Sequence, residues 1–409
     1  MAFDYDVIVI GAGAAGIAAG RALRAAGLTF TLLEARARTG GRAAAITLGG
    51  RRIDTGAHWM HMQQANPLVP LARELGVALR PMPGGHPYYD GAERLERESL
   101  ALFQTRWEMI ENAVAAAVSS GPDSSVGACF PDFGEWTETF AFNHSLYCGR
   151  PIEEISAADY ARVEDSDNLF PAGAYADILT RLAEGLPLRL DAAVTRISWR
   201  GGGVTIEAAG AEYSARRCII TIPVMVLQSG SIAFDPPLPE ALAAAIASFL
   251  RGNYEHVILH WPETPFGPGD ADRLVFFKGG RSENMTLLAH IEGSDFHSAE
   301  IGGLTAAGIG SAAEKEAFVR RFLASRFGAI ALKGLTAAHA TDWWSDPFSL
   351  GSWSVAPPGK AFAREALQAP VDGRLWFAGE AASPTQWGTV GGAWLEGCRA
   401  AREVIRAAG

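Results

Sequence analysis

The chain has 409 residues, 48% hydrophobic and 20% charged, long enough for two domains with a core each. A formal net charge of −10 offers no basic surface to nucleic acid or anionic lipid, so neither is an expected partner. No apolar run approaches the ~18 residues of a membrane span, and the four cysteines (Cys129, Cys148, Cys218, Cys398) show no CxxC or metal-ligand spacing, which reads as isolated buried thiols in a reducing compartment.

The opening "MAFDYDVIVIG" enters a strand at once and "REVIRAAG" closes on a helix terminus, so the expectation is a cytoplasmic protein without secretory signal or tail anchor. Val7 to Ile10 suits a strand buried on both faces. Gly11-Ala-Gly13-Ala14-Ala15-Gly16 follows, and then a small-residue helix to about Ala26. Gly11 permits a tight turn, Gly13 leaves room for a pyrophosphate, Gly16 lets the helix pack closely on the strand, and the helix N-terminus turns free N–H groups to the phosphates. A second strand, Thr29 to Leu33, ends in Glu34, placed to bind ribose hydroxyls. A lone GxGxxG is weak, but strand, loop, helix, strand and acid stand here in the order of a dinucleotide site. The acid argues against a 2′-phosphate, and this segment alone leaves FAD and NAD both open.

Next come "ARARTGGRAA", with Arg36, Arg38, Gly40, Gly41 and Arg42, then "RRIDTGAHWMH" and "NPLVPLARELGV". A Gly-Gly-Arg turn can bring backbone and a cation onto the same cofactor. This order of motifs resembles the flavin-containing amine oxidase superfamily, which includes monoamine oxidases, polyamine oxidases, L-amino-acid oxidases and flavin histone demethylases. The resemblance implies FAD and an α/β fold: a Rossmann-type, GR2-like FAD-binding domain with an interleaved α+β substrate domain. It implies cofactor contacts from Gly11, Gly13, Ala14, Ala15 and Gly16, from Glu34, Ala35 and Arg36, from Gly40, Gly41 and Arg42, and from Gly56, Ala57, His58 and Trp59.

The rest of the chain carries the resemblance in order. An amphipathic helix is expected near Tyr175 to Glu184, then strands around Leu188–Leu190, Val194–Trp199 and Val204–Ala208. A buried strand, Cys218 to Ile222, then meets Pro223. By resemblance Val194 lies near the adenine, and "ITIPVMVL", with Thr221 and Pro223, closes the cofactor domain. "TDWWSDPFSLGSWSVAPPG", with Trp344, brings the chain back to the flavin. "GRLWFAGEAASPTQWGTVGGAWLEGCRAAREVI" reads as a strand at Leu375–Ala378, a turn at Gly379-Glu380 and a helix from Gly392 to Ile405. A Gly-rich helix start can offer N–H groups to a flavin carbonyl, and the resemblance adds Gly379, Glu380, Gly388, Thr389, Val390 and Ala393 as contacts. The implied domains are discontinuous: 1–76, 166–234 and 347–409 for FAD, 77–165 and 235–346 for substrate. The latter carries helical stretches such as "ALFQTRWEMIENAVAAAV" and is where the substrate cavity is individualised.

Flavin oxidation of an amine asks the protein for a neutral amine, an α C–H aimed at flavin N5, and exclusion of water. The imine formed is hydrolysed to carbonyl and amine, and the electrons pass to oxygen, giving peroxide, or to another acceptor. Aromatic walls are the first catalytic candidates. By resemblance Trp353 in "GSWSV" is one wall of an amine-guiding cage; its plainer reading is a core tryptophan. Thr389 holds the position of the facing aromatic wall, leaving the cage half-built or completed by Trp387. Ser352 stands where some relatives bond FAD through cysteine, so noncovalent FAD is expected. In "GNYEHVILHW" the family commonly keeps a lysine four residues after the glycine, holding a water near N5; aligned on Gly252, that slot holds His256. The chain's four lysines (Lys278, Lys315, Lys333, Lys360) all lie out of this register. A histidine is a weaker fixed positive charge, which makes oxygen a poorer acceptor. His260 shares the strand face but reads as structural, and His61 as a loop histidine. A metal at these histidines needs a third ligand, none is recognisable in the sequence, and no metal is expected. The expected partners are a small-molecule amine and oxygen or another acceptor, with a homodimer left open. Two other readings stay in view: a carbon–carbon desaturase or protoporphyrinogen-type oxidase, which shares the nucleotide motifs though "NPLVPLARELGV" and "GSWSV" speak for amines, and a catalytically silent flavin-fold binding protein.

Overall fold

Successive residues of the first strand, Tyr5–Ile10, point to opposite faces of a sheet, and both faces are covered. Val7 and Val9 enter one apolar cluster, Ile8 and Ile10 another, all at 0–3% exposure. The structure is a computed structural model that describes residues 3–82, 86–95, 98–164, 166–267, 269 and 271–408. Tyr5–Ile10 is the middle of an eight-stranded sheet, parallel to Phe30–Leu33 on one side and to the end of Ala211–Ile220 on the other, with Ile10 opposite Leu33 and Ile220. Leu375–Phe377 extends the parallel part beyond Cys218–Ile220. Val194–Ser198 and Val204–Ala208 form an antiparallel flank.

The helix Ala14–Ala25 returns across this sheet and packs on the long terminal helix Val390–Ala408. Small residues set how closely they approach. A Cβ at Gly16 would stand 1.9 Å from the Gly11 carbonyl oxygen, and one at Gly397 would stand 2.1 Å from that of Ala15. Gly11 itself has φ +100°, a conformation that side chains rarely adopt. The expected strand–turn–helix–strand unit is thus present, with element ends within a residue or two of those expected. The last helix begins two residues before the expected Gly392.

A second, seven-stranded sheet runs in the order 336–340, 254–260, 296–302, 286–289, 273–277, 88–90 and 93–94, mostly antiparallel. Alternation again divides its faces. Val257, Leu259, Ala299, Ile301 and Leu287 join the aromatic core under the helix Ala312–Phe327, through Phe318, Phe322 and Leu323. Tyr254, His256, Glu300, Thr286, Leu274 and Phe276 point the other way and line a cavity. The α/β class with an interleaved mixed second sheet is as expected. All four cysteines are free; Cys148 and Cys218 are buried, whereas Cys129 and Cys398 are only half-buried, a departure from four buried thiols. Among the described residues no helix is long and apolar enough to cross a membrane.

The helix contact at Gly397 sets the first prediction. Gly397→Val forces a side chain onto the Ala15 carbonyl and is expected to cost about 3 kcal/mol, seen as a lower midpoint in urea unfolding followed by circular dichroism. Gly27→Asn, at φ +71° with open space around it, is the mild control.

Candidate active site

The edges of both sheets open onto one cavity of about 890 Å³, at the large end for a small-molecule site. It runs from the glycine loop and Glu34, past the Gly40-Gly41-Arg42 turn, to the inner face of the second sheet and the helix residues Trp107, Asn143 and Tyr147. Every residue singled out above as a cofactor contact or a catalytic wall lines it, except two. Gly16 lies behind the loop, where its missing Cβ serves packing. Trp344 is the second exception, and a correction: it is 36% exposed, with the Arg251 guanidinium 4.6 Å from its ring centroid. Trp343 lines the cavity instead and donates from Nε1 to the Thr55 carbonyl at 2.8 Å. The reason is local. Both tryptophan amides donate to the buried Glu255 carboxylate, at 3.1 and 3.0 Å, and with the backbone so pinned the neighbouring side chains diverge.

At the nucleotide end, Glu34 accepts from the Ala12 amide at 2.7 Å and the Arg36 amide at 2.9 Å, one bond per oxygen, which leaves lone pairs free. Arg36 is itself held by Asp346 and Ser349. Gly13 faces Gly41, where a Cβ would stand 3.3 Å from the Gly13 Cα, so bare backbone walls the passage. Glu380 lines the cavity with its carboxylate fully engaged: Arg42 and the Ser354 amide donate to Oε1, and the Ser354 hydroxyl and Gly388 amide to Oε2.

Trp353 is fixed by an Nε1 bond of 2.7 Å to the Cys148 carbonyl and sits 5.3 Å, ring to ring, from Tyr254. Trp387 is 5% exposed, with the fully buried Arg364 guanidinium 4.7 Å from its ring and Arg364 in turn paired to Asp159 at 2.7 Å. Thr389 lines the cavity, but its hydroxyl accepts from the Gly392 amide at 2.9 Å and so caps the last helix. It supplies no aromatic wall. Ser352 exchanges hydrogen bonds with the Tyr254 backbone, and among the described residues no cysteine lines the cavity.

His256 faces the cavity and His260 does not; His260 packs on Phe296 at the strand's end. Around His256 the structure gathers His58, singled out above, and three residues the sequence reading missed: Tyr254, Thr286 and Glu300. Glu300 lies directly across the antiparallel pair from His256, and Thr286 across from Glu300, so all three share one row. His58 comes from the "GAHW" segment, its ring 5.3 Å from that of His256. One ligand atom from each of His58, His256 and Glu300 lies within 4.8 Å of the others, which supplies the third candidate ligand not recognised in sequence. Thr286 donates to Glu300 Oε2 at 2.9 Å. Glu300 Oε1 and His58 Nε2, 3.5 Å apart, have no hydrogen-bond partner. Burial pushes the Glu300 carboxyl up to about 7. Burial, and then the charge of its neighbour His256, holds His58 well below the usual imidazole range, and burial brings His256 down to about 4. Tyr254 beside Glu300 is held well above the usual phenol range by burial and that carboxylate. Of these, Tyr254 was legible, two residues from His256 on the same strand face; Glu300 needed the strand pairing.

The sequence model of the family described as flavin containing amine oxidoreductase matches residues 14–127 and 111–405. The chain belongs to this family. Its relatives include polyamine oxidase 4 of Oryza sativa subsp. japonica, 30% identical with 97% of this chain and 88% of that protein covered. Another is lysine-specific histone demethylase 1 homolog 2 of the same plant, 28% identical over 98% of this chain but only 57% of the relative's length. In fold it matches cyclohexylamine oxidase from Brevibacterium oxydans IH-35A at TM-score 0.81, and putrescine oxidase bound to putrescine at 0.80, each 23% identical over 98% of this chain and 99% of the other. A flavin amine oxidoreductase is therefore what this chain is.

The pair under Trp387 is open to test. Asp159→Asn leaves Arg364 buried with a weakened partner and is expected to cost about 3–5 kcal/mol, read as a lower unfolding midpoint. Glu365→Gln, half exposed at the surface, is expected to change it by under about 1 kcal/mol.

Proposed function

We propose that the chain binds FAD noncovalently and oxidises a small amine to an imine, which water hydrolyses to a carbonyl compound and an amine or ammonia. The observation that carries this reading is the continuity of the cavity, from a glycine loop fit for a dinucleotide to an apolar, aromatic pocket ringed by Trp353, Trp387 and Tyr254. Bound FAD supplies the oxidant, accepting a hydride from the amine α-carbon and passing the electrons on. The residues fit it. The first helix turns its N-terminal amides, near Ala14 and Ala15, to the passage between Gly13 and Gly41, as a pyrophosphate needs. Glu34 keeps lone pairs for ribose hydroxyls. The last helix, capped by Thr389, opens its positive end onto the cavity and would hold the flavin ring system there. Absence of cysteine from the lining supports a noncovalent flavin.

We assign the FAD domain to 1–76, 166–234 and 347–409 and the substrate domain to 77–165 and 235–346. All seven strands of the second sheet fall in the latter. The strand Ala233–Asp235 runs through one boundary, and Asp165 at another lies outside the described residues. The substrate-side residues exclude water and favour an uncharged amine by desolvation. Trp353 and Tyr254 offer faces that attract a cation on its way in. His256, neutral at working pH, provides no fixed positive charge beside the ring, so oxygen is a slow acceptor and another oxidant is preferred.

The purified protein is expected to be yellow, to release unmodified FAD on denaturation, and to bleach anaerobically with an amine among monoamines, polyamines and amino acids. A colourless protein that takes up no FAD, or one that no amine bleaches, defeats the proposal. His256→Lys is expected to speed reoxidation of the reduced protein by oxygen about tenfold or more, equivalent to ~1.4 kcal/mol of barrier, in stopped-flow absorbance. His260→Gln should leave that rate unchanged.

A further inference from the structure

We infer that His58, His256 and Glu300 form a cradle for a primary ammonium group, and that Glu300 takes its proton. The inference rests on the amine-oxidation reading and extends it to how the substrate loses its charge. An amine reaches the protein as R–NH3+, while hydride loss from its α-carbon requires the free lone pair, so a nearby group must accept one proton. A primary ammonium has three N–H donors. The cluster brings one nitrogen or oxygen from each of its three side chains within 4.8 Å of the others, and all three accept when His256 Nδ1 donates to the Ser298 hydroxyl.

The orientation of each acceptor follows from its other bonds. His58 Nδ1 lies 3.2 Å from the Gly56 carbonyl, which only accepts, so Nδ1 carries the hydrogen and the unpartnered Nε2 presents a lone pair. His256 Nδ1 lies 3.1 Å from the Ser298 hydroxyl, which anchors that ring. Glu300 is 2% exposed; Thr286 occupies Oε2, the Tyr254 hydroxyl is the other donor beside the carboxylate, and Oε1 faces the gap without a hydrogen bond of its own. A buried oxygen without a donor is costly unless a ligand supplies one. The Tyr254 ring adjoins the cluster, 5.1 Å from that of His256, with Trp353 5.3 Å beyond it, and these aromatic faces suit the organic body of the amine.

The step balances as R–NH3+ plus Glu300 carboxylate giving R–NH2 plus Glu300 carboxylic acid, with both histidines neutral throughout and no electron moved. Buried opposite charges become two neutral groups, which the apolar surroundings favour. The groups facing Glu300 are Tyr254 and His256 on the adjacent strand, Thr286 on the other neighbour and His58 from its loop. None of them is cationic at neutral pH. Burial holds the empty carboxyl up near 7. The ammonium is therefore gripped above that pH and released below it as Glu300 protonates.

The test uses the FAD-loaded protein and 2-phenylpropan-2-amine, which has no α-hydrogen and cannot be oxidised. Binding is read from perturbation of the flavin spectrum between pH 6 and 8.5. The wild type is expected to bind this amine more tightly as pH rises through about 7, and more tightly than its N,N,N-trimethyl analogue, which keeps the charge but has no N–H. Glu300→Gln should weaken amine binding by about 10- to 100-fold, remove the pH dependence, and weaken the trimethyl analogue less, since that cation loses only the charge attraction and no hydrogen bond. Thr286→Val, which keeps the carboxylate but removes its donor, should move the pH midpoint upward. A yellow Glu300→Gln protein that binds the amine as the wild type does would overturn the cradle, and so would a Thr286→Val midpoint that stays in place. Zinc chloride that displaces the amine at micromolar concentration in the wild type but not in Glu300→Gln would overturn it in favour of a metal centre. Failure to take up FAD defeats the amine-oxidation reading itself, which the other outcomes leave standing.

Discussion

The Glu380 carboxylate holds the cavity's wall together. It is 5% exposed and receives four hydrogen bonds, from Arg42, from the amide and hydroxyl of Ser354, and from the Gly388 amide. Those donors come from three distant parts of the chain: the Gly-Gly-Arg turn after the second strand, the "GSWS" segment and the approach to the last helix. A buried charge without partners costs several kcal/mol, so folding satisfies this carboxylate only by assembling all three. Arg42 extends the tie by donating to the Ser352 carbonyl at 2.9 Å. Trp353 stands between Ser352 and Ser354, so the tie that closes the nucleotide half also sets one wall of the reacting end.

Two further buried charges act in the same way on neighbouring walls. Glu255 takes the amides of Trp343 and Trp344, with Lys315 3.6 Å away and 2% exposed. That network turns Trp343 into the cavity and Trp344 out of it. Asp159 and Arg364, both 0% exposed, sit under Trp387. Buried ion pairs are poor sources of net stability. Their use here is positional: each fixes an aromatic ring at the cavity, where small displacements alter how a substrate is aligned.

The nucleotide half was legible because its requirements are local. A turn at Gly11, a close helix approach at Gly16 and an acid ending the second strand recur at fixed spacings along the chain. The reacting end depends on strand register, which one sequence does not display. His256 and Glu300 are 44 residues apart and face each other only because the strands Tyr254–His260 and Phe296–Gly302 pair as they do. A one-residue slip would send Glu300 into the aromatic core instead. Trp344 failed for a related reason: in "DWWSD" either tryptophan could face inward, and Glu255, far away in sequence, decides which.

Burial sets the charge state of every group in the cluster at once. One desolvated environment lowers both histidines and raises the carboxyl. A lysine at position 256 would meet the same desolvation, but it would also place a cation in the row with Glu300, and opposite charges within a few ångströms stabilise one another. The carboxylate would then be committed to that lysine and would titrate well below neutral pH. With histidine there, Glu300 stays free for a cation that arrives from outside. The residue at this one position thus decides whether the buried row carries a fixed positive charge or leaves Glu300 without a cationic partner.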